Sequence, residues 1–284
     1  VAQAAAPRAG HGLPLLLLFP AALVIAVFLG SLAVTGANSI SDAQGNWTLG
    51  HYERFLTDAH FLNYLWRSFR IAAYCTPVTL LLGYPFAYVM SRASPAVRLT
   101  LTLILVVQFF TSYIVRTYAL ILVLGSNGLL SRSLVGLGLL DNPLKLLFHE
   151  AGVAISLVLV PLPFMILPIY SVLKNIEPNL ETAAASLGAS RLKVFWFVIF
   201  PLSLPGVLAG VVLVFLFDLT AYIMPAMLGG GYVDMIANAI QEQAMAVLNK
   251  QFAAAMSMVL LAITALVLYL INVFGSRVSG EATG

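Results

Sequence analysis

Charge is what this chain has least of. Only 9% of its 284 residues are Asp, Glu, Lys or Arg, while 61% are hydrophobic. A soluble domain carries roughly 25% charged residues. So little charge cannot cover a water-facing surface, which excludes an ordinary soluble domain and leaves a polytopic membrane protein. Cysteine is almost absent. Cys75 stands alone inside an apolar run, so an intrachain disulfide and a cysteine-based metal site are excluded, and the thiol reads as a buried spectator. The net charge of +3 is small and scattered, which offers no nucleic-acid surface. Catalytic signatures are missing as well: there is no Gly-rich phosphate loop ending in Lys-Ser/Thr, no His-Glu-x-x-His and no Gly-x-Ser-x-Gly. The chain is expected to be no enzyme, to bind no cofactor or metal of its own, and to take its energy from a partner.

What is present is a series of apolar blocks. A membrane-crossing helix needs about 20 mostly apolar residues. Six blocks qualify, at about 13–35, 69–91, 99–124, 149–173, 203–228 and 252–275. The expectation is an all-α polytopic membrane protein with six transmembrane helices: a 1–12 N-terminal segment, a 13–275 six-helix domain and a 276–284 tail. The first block is long enough to span as it stands, whereas a signal peptide has a shorter apolar core, so a retained first helix is expected. Pro161, Pro163 and Pro168 predict a bent fourth span in the bundle interior, where neighbours satisfy the freed carbonyls.

Six spans place both termini on one side. With the termini inside, Arg8, Arg92, Arg98, Lys174, Arg191, Lys193 and Arg277 face the cytoplasm, against Arg54, Arg67, Arg70, Arg132, Lys145 and Lys250 outside. The totals nearly tie, and the tight 92–98 turn with its two arginines tips the expectation toward cytoplasmic termini. The aromatic-rich 36–68 loop is expected to hold a short surface helix. Residues 125–148 read as a loop with a short apolar turn, and 229–251 as a polar helical stretch.

The 174–200 loop carries helix, turn and helix signals together. Pro178 suits a first turn, and Leu180, Ala183, Ala184 and Leu187 recur at helical spacing. Gly188 can take a positive φ and end that helix. Ser190 is a good N-cap for a second helix, with Leu192, Phe195, Trp196 and Ile199 facing one way and Arg191 and Lys193 facing water. Pro201 and Pro205 mark the start of the fifth span. The outcome is a compact knob whose small Ala183, Ala184, Ala185 and Ala189 allow close approach of a partner. From the residues alone, an interfacial helix lying on the bilayer is the competing reading.

Two ionisable residues fall well inside spans, Arg116 and Asp218. Facing lipid, each would cost a few kcal/mol or more. They therefore face protein or a water-filled path, as a structural pair, as partners of another subunit, or as part of a translocation route. Tyr113 and Tyr222 lie beside them and could supply cation–π contacts to an amine, although most such rings are packing residues. Adjacent His149 and Glu150 point about 100° apart on a helix and are not expected to share an ion.

The run Leu180-Glu181-Thr182-Ala183-Ala184-Ala185-Ser186-Leu187-Gly188-Ala189-Ser190, followed by Phe200-Pro201-Leu202-Ser203-Leu204-Pro205-Gly206, resembles the cytoplasmic EAA loop of type I ABC importer permeases. Thr111 to Ala119, Leu124-Gly125, Gly128 to Leu130, Tyr52 to Leu56 and Pro225 to Gly231 extend the resemblance along the chain, toward the spermidine/putrescine (PotB-like) class. The resemblance implies a type I ABC importer permease fold in the bacterial inner membrane. It implies a heterodimer with a sister permease, two copies of an ABC ATPase subunit holding ATP and Mg, and a periplasmic solute-binding protein. It implies an ATPase-coupling role for Glu181, Thr182, Ala183, Ala184, Leu187, Gly188, Ala189 and Arg191. One departure stands out: the family's glutamate position holds Thr182, with Glu181 one residue earlier, so the glutamate's role is not carried over to Thr182. The candidate translocation path comprises Asp218, Arg116, Tyr113 and Tyr222. Related permeases serve opines, amino-acid-like compounds, iron and thiamine, which stay open as alternative solutes. An ion-coupled secondary transporter is a distant rival, since inverted repeats are not visible.

Overall fold

The computed structural model describes residues 12–42, 44–186 and 188–281. Among these, regular structure is helical, apart from one isolated antiparallel bridge between Ser41 and Trp47. In chain order the helices are α1 (Gly12–Ser39), α2 (Gly50–Thr57), α3 (Ala59–Arg92), α4 (Pro95–Phe110), α5 (Tyr113–Leu124), α6 (Leu129–Gly136), α7 (Glu150–Leu159) and α8 (Leu162–Leu173). After α8 come α9 (Pro178–Ser186), α10 (Arg191–Val194), a π-helical turn (Phe195–Ile199), α11 (Phe200–Leu219), α12 (Ile223–Gly229), α13 (Ile236–Met245) and α14 (Lys250–Glu281). Six helical stretches are long and apolar enough to cross a membrane. The expected 1–12 segment lies outside the described residues except for Gly12, which opens α1. Helix runs on through the expected 276–284 tail as far as Glu281.

Three expected spans are reshaped. The second begins at Ala59 rather than about 69, because the Asp58 carboxylate accepts the His60 N–H at 2.9 Å and caps the helix there. Its 34 residues rise about 51 Å, well beyond a hydrocarbon core of about 30 Å. The third is not one helix over 99–124. The expected span divides at Thr111 and Ser112, where the Thr111 hydroxyl bonds back to the Val107 carbonyl at 2.6 Å; α4 is a shorter apolar helix, and the stretch long enough to cross is Tyr113–Gly136, which takes in α6 from the expected 125–148 loop. The fifth starts in the preceding loop at Arg191 and stops at Leu219, with 223–229 forming the separate α12.

The fourth span breaks at Val160 and Pro161, as its prolines predict, and is the most deeply packed of the six. Residues of α3 meet it in parallel order. Cys75 lies against Ala154, Thr79 against Val158, and Arg92 against Ile176. Helix α11 runs back along α8, and two glycines set how closely. A Cβ on Gly206 would stand 2.8 Å from the Pro168 carbonyl oxygen, and one on Gly210 3.1 Å from that of Met165. This Gly-x-x-x-Gly pair lets the two backbones touch.

Three apolar clusters hold the bundle. Near the 174–200 loop, Met90, Met165, Ile169, Leu173, Ile199 and Val207 join α3, α8 and α11. Toward the opposite end, Ile71, Val153, Leu157, Met224 and Leu228 join α3, α7 and α12. A third cluster, Phe55, Phe61, Leu219, Ile236, Phe252 and Met256, seats α2 and α13 against α14. The expected surface helix of the 36–68 loop is α2, and the polar stretch after 229 is α13. Helix α1 is largely exposed and packs on α14 along one side.

Candidate functional site

The 174–200 loop is built as its local signals dictate. Pro178 opens α9. Gly188 has φ +83°, and the Ala189 N–H reaches back to the Ala184 carbonyl at 3.2 Å, a six-residue closure typical of a glycine-ended helix. The Ser190 side chain accepts the Lys193 N–H at 3.4 Å and starts the next helix. Leu187 lies outside the described residues. The second helix corrects one expectation. It is no separate knob helix but the first turns of the fifth span, and its aromatic face is turned differently. Val194 and Ile199 are buried, while Leu192, Trp196 and Phe197 are exposed. The π turn causes this: the Phe200 N–H bonds to the Phe195 carbonyl, five residues back, just before Pro201, which has no N–H to give.

Glu181 turns inward rather than away from the chain. Its carboxylate pairs with the Arg92 guanidinium at the end of α3. Arg92 also donates to the Ile176 carbonyl at 3.3 Å. Arg98 donates to the Ser91 and Ala93 carbonyls and closes the 92–98 turn. Thr182 and Ala183 lie on the exposed side of α9. Beside them Tyr88, Glu181, Thr182, Ala189 and Arg191 line a cavity of about 440 Å³.

The two intramembrane charges, half-buried Arg116 and buried Asp218, do not pair. The Arg116 guanidinium is spent on backbone carbonyls: Gln108 and Thr111 at the end of α4, and Val160 at the break of the fourth span. With Tyr113, Phe109, Phe164 and Phe217 it lines a cavity of about 220 Å³. Tyr113 donates its hydroxyl to the Met224 sulfur at 2.8 Å. Asp218 lies one residue beyond Phe217 but does not line that cavity. It is completely buried, and neither carboxylate oxygen takes a hydrogen bond from a described residue. Tyr222 is partly exposed beyond the end of α11, its carbonyl accepting from Asn238 at 3.1 Å. Of the four expected path residues, Arg116 and Tyr113 share a cavity.

His149 and Glu150 diverge, as their spacing requires. His149 Nδ1 lies 2.9 Å from the Leu147 carbonyl. Glu150 meets Arg70 at 2.5 Å and the Tyr74 hydroxyl at 2.9 Å. Sequence reasoning missed Arg92 as a tie to α9 and Gln108 as a partner of the fourth span, whose Leu159 carbonyl it meets at 2.8 Å. Neither carried a signal, since both partners are distant in sequence. The Gly206-x-x-x-Gly210 spacing was legible as a helix-contact motif and was passed over.

Six membrane-long helical stretches, several of them broken, and a two-part surface loop are the features of a polytopic membrane protein. The chain belongs to the family of binding-protein-dependent transport system inner membrane components, whose model matches residues 61–280. It is 34% identical to the spermidine/putrescine transport system permease protein PotB of Escherichia coli K12, over 87% of this chain and 91% of that one. It is 30% identical to the inner membrane ABC transporter permease protein YdcU of the same organism, over 94% and 91%. Its fold matches a chain of a bacterial ABC transporter that imports the acidic polysaccharide alginate, with TM-score 0.75 at 17% identity over 93% and 95% of the two chains. The chain is therefore a multi-pass inner-membrane protein and the non-catalytic membrane subunit of an ABC importer.

Proposed function

We propose that the imported solute is a small organic polycation of the spermidine/putrescine class. The observation that carries this reading is the similarity to the spermidine/putrescine permease over nearly the whole of both chains. Asp218 supports it in charge: a buried carboxyl with no donor from the described residues is suited to an ammonium group that reaches it when the bundle opens. Arg116 contributes differently, because its guanidinium is tied to carbonyls and would not attract a cation.

The assembly we infer has this chain beside a sister permease, on two copies of an ATPase that hold ATP and Mg, with a periplasmic binding protein delivering the solute. Both termini are then cytoplasmic, and the 174–200 loop contacts the ATPase through the exposed side of α9, including Thr182, Ala183 and the turn at Gly188 and Ala189, with Arg191 beside it. ATP draws the two ATPase subunits together, the loop moves with them, and the attached helices turn the bundle from one side to the other. Such switching between two states needs ATP to bind them with different affinity.

The test is purification of this chain from its native host in mild detergent, with mass spectrometry of what accompanies it. The expected companions are an ATPase with a phosphate loop and a second six-span protein. The binding protein, titrated with spermidine and putrescine, should bind at least one. Reproducible purification of this chain alone would overturn the assembly. A binding protein that ignores both amines and takes another solute would overturn the substrate assignment.

A further inference from the structure

Arg92 is the last residue of α3, and Glu181 sits in the first turn of α9. Their side chains are only 23% and 27% exposed. The same guanidinium holds the carbonyl of Ile176, in the strap between α8 and α9, and Ile176 is itself buried in the core shared by α3, α8 and α11. One arginine therefore grips both the strap and the first turn of α9.

The chain joins α9 covalently to α8 on one side and to α10 on the other. Both joints are short and irregular, and one contains the glycine turn at 188. Joints of that kind absorb movement rather than transmit it. Arg92 adds a third attachment, to a helix that α9 is not joined to by sequence. That helix is the longest among the described residues, and it packs along α7, α8, α11 and α13. An acidic residue in a first turn is already favoured by the helix dipole. The added effect of Arg92 is to fix where α9 sits relative to the bundle.

We propose that Arg92 and Glu181 form the tether that passes movement of α9 to α3, so that Glu181 works within this chain rather than as a ligand for the ATPase. Both are positioning residues, and the inference rests on the reading of 174–200 as the loop that meets the ATPase.

The experiment uses the complete transporter, with its binding protein, in liposomes. Uptake and ATP hydrolysis are measured together for Arg92→Glu, Glu181→Arg and the double swap. Each single swap should lower solute uptake per ATP by roughly tenfold, within the range typical of coupling between sites, while hydrolysis and complex yield persist. The double swap, which restores opposite charges, should recover most of that loss. Normal coupling in both single variants overturns the tether, as does a double variant no better than the singles. If charge reversal prevents assembly, Arg92→Gln and Glu181→Gln give the milder test: reduced uptake per ATP is expected, and parental coupling in both overturns the proposal. A photo-crosslinker at position 182 separates the two readings. Capture of the ATPase together with normal coupling in the swaps removes the tether alone. Absence of capture removes the loop reading and the tether with it.

Discussion

Arg116 and Val160 join two broken spans. Arg116 lies in the first turn of α5, Val160 follows α7, and Nη1 of the arginine reaches the Val160 carbonyl at 3.3 Å. Nη2 takes the Gln108 and Thr111 carbonyls where α4 ends. Gln108 answers with a bond to the Leu159 carbonyl at 2.8 Å. Each helix break frees carbonyls in a setting poor in water, and a single positive side chain satisfies both sets. The charge is retained inside the membrane because it is bound to backbone dipoles from three sides.

Arg116→Ala should therefore destabilise the isolated protein, by about 1–3 kcal/mol for each carbonyl left without a donor and without water. Thermal unfolding in detergent would show a lowered Tm, and Arg116→Lys should fall between the two. A Tm equal to that of the parent would mean that other donors take over the three carbonyls.

Asp218→Asn should leave assembly intact, since a buried amide is cheaper than an unpaired carboxylate. Uptake of a polycation should fall, with KM for spermidine rising roughly tenfold, the equivalent of about 1.4 kcal/mol. Unchanged uptake kinetics would assign the carboxyl a structural role only.

Gly188→Val should uncouple transport while the protein still inserts. The residue holds φ +83°, a conformation that costs an L-residue roughly 1–2 kcal/mol and is worse for a β-branched one. Gly188→Asn, which tolerates that conformation, should keep most of the uptake. Parental transport by the valine variant would count against the role of the loop.

Gly206→Leu should push α8 and α11 apart, because a Cβ there meets backbone, the Pro168 carbonyl oxygen at 2.8 Å and the Ile169 Cα at 3.0 Å; Gly210→Leu should do so less, because a Cβ there meets first the Met165 sulfur at 2.9 Å, which can move, and then the Met165 carbonyl oxygen at 3.1 Å. Overpacking of this kind costs typically about 1–3 kcal/mol. The check is Tm of the isolated chain, with Gly30→Leu, at an open position in α1, as the control.

Asp42 gives a pH prediction outside the membrane. Its carboxylate accepts the backbone N–H of Asn46 at 2.9 Å, the largest cause of its lowered pKa, aided by the Asn46 side chain and the Gln44 N–H. A lowered pKa means that the ionised form favours the folded loop above the ordinary value of 3.8, and that this contribution is lost as pH falls through the folded value. Trp47, bridged to Ser41, reports on the loop. In a variant with Trp66 and Trp196 changed to Phe, its emission should hold steady from neutral pH to about 4 and change below that. Asp42→Ala should abolish the transition.

Six apolar blocks, the fourth-span prolines and the Pro178, Gly188 and Ser190 signals were legible because each acts locally, within a few residues. The breaks at Thr111-Ser112 and after Leu219 were not, since short polar residues within an apolar run are equally at home in a continuous helix. The aromatic face after Ser190 was misread because a π turn shifts register by one residue, and apolar spacing carries no mark of it. The site was less legible than the fold. Arg92 with Glu181, and Gln108 with Leu159, meet across 89 and 51 residues, and only the packed bundle brings them together.

The close glycine contact between α8 and α11 also fixes a fulcrum. The helical rod from Arg191 to Leu219 starts in the 174–200 loop and carries Asp218 near its far end. At 1.5 Å per residue, Gly206 lies about 22 Å from Arg191 and about 18 Å from Asp218. Tilting about that contact would move the two ends in opposite directions, so any displacement that the loop imparts to the rod would reach Asp218 reversed in sense.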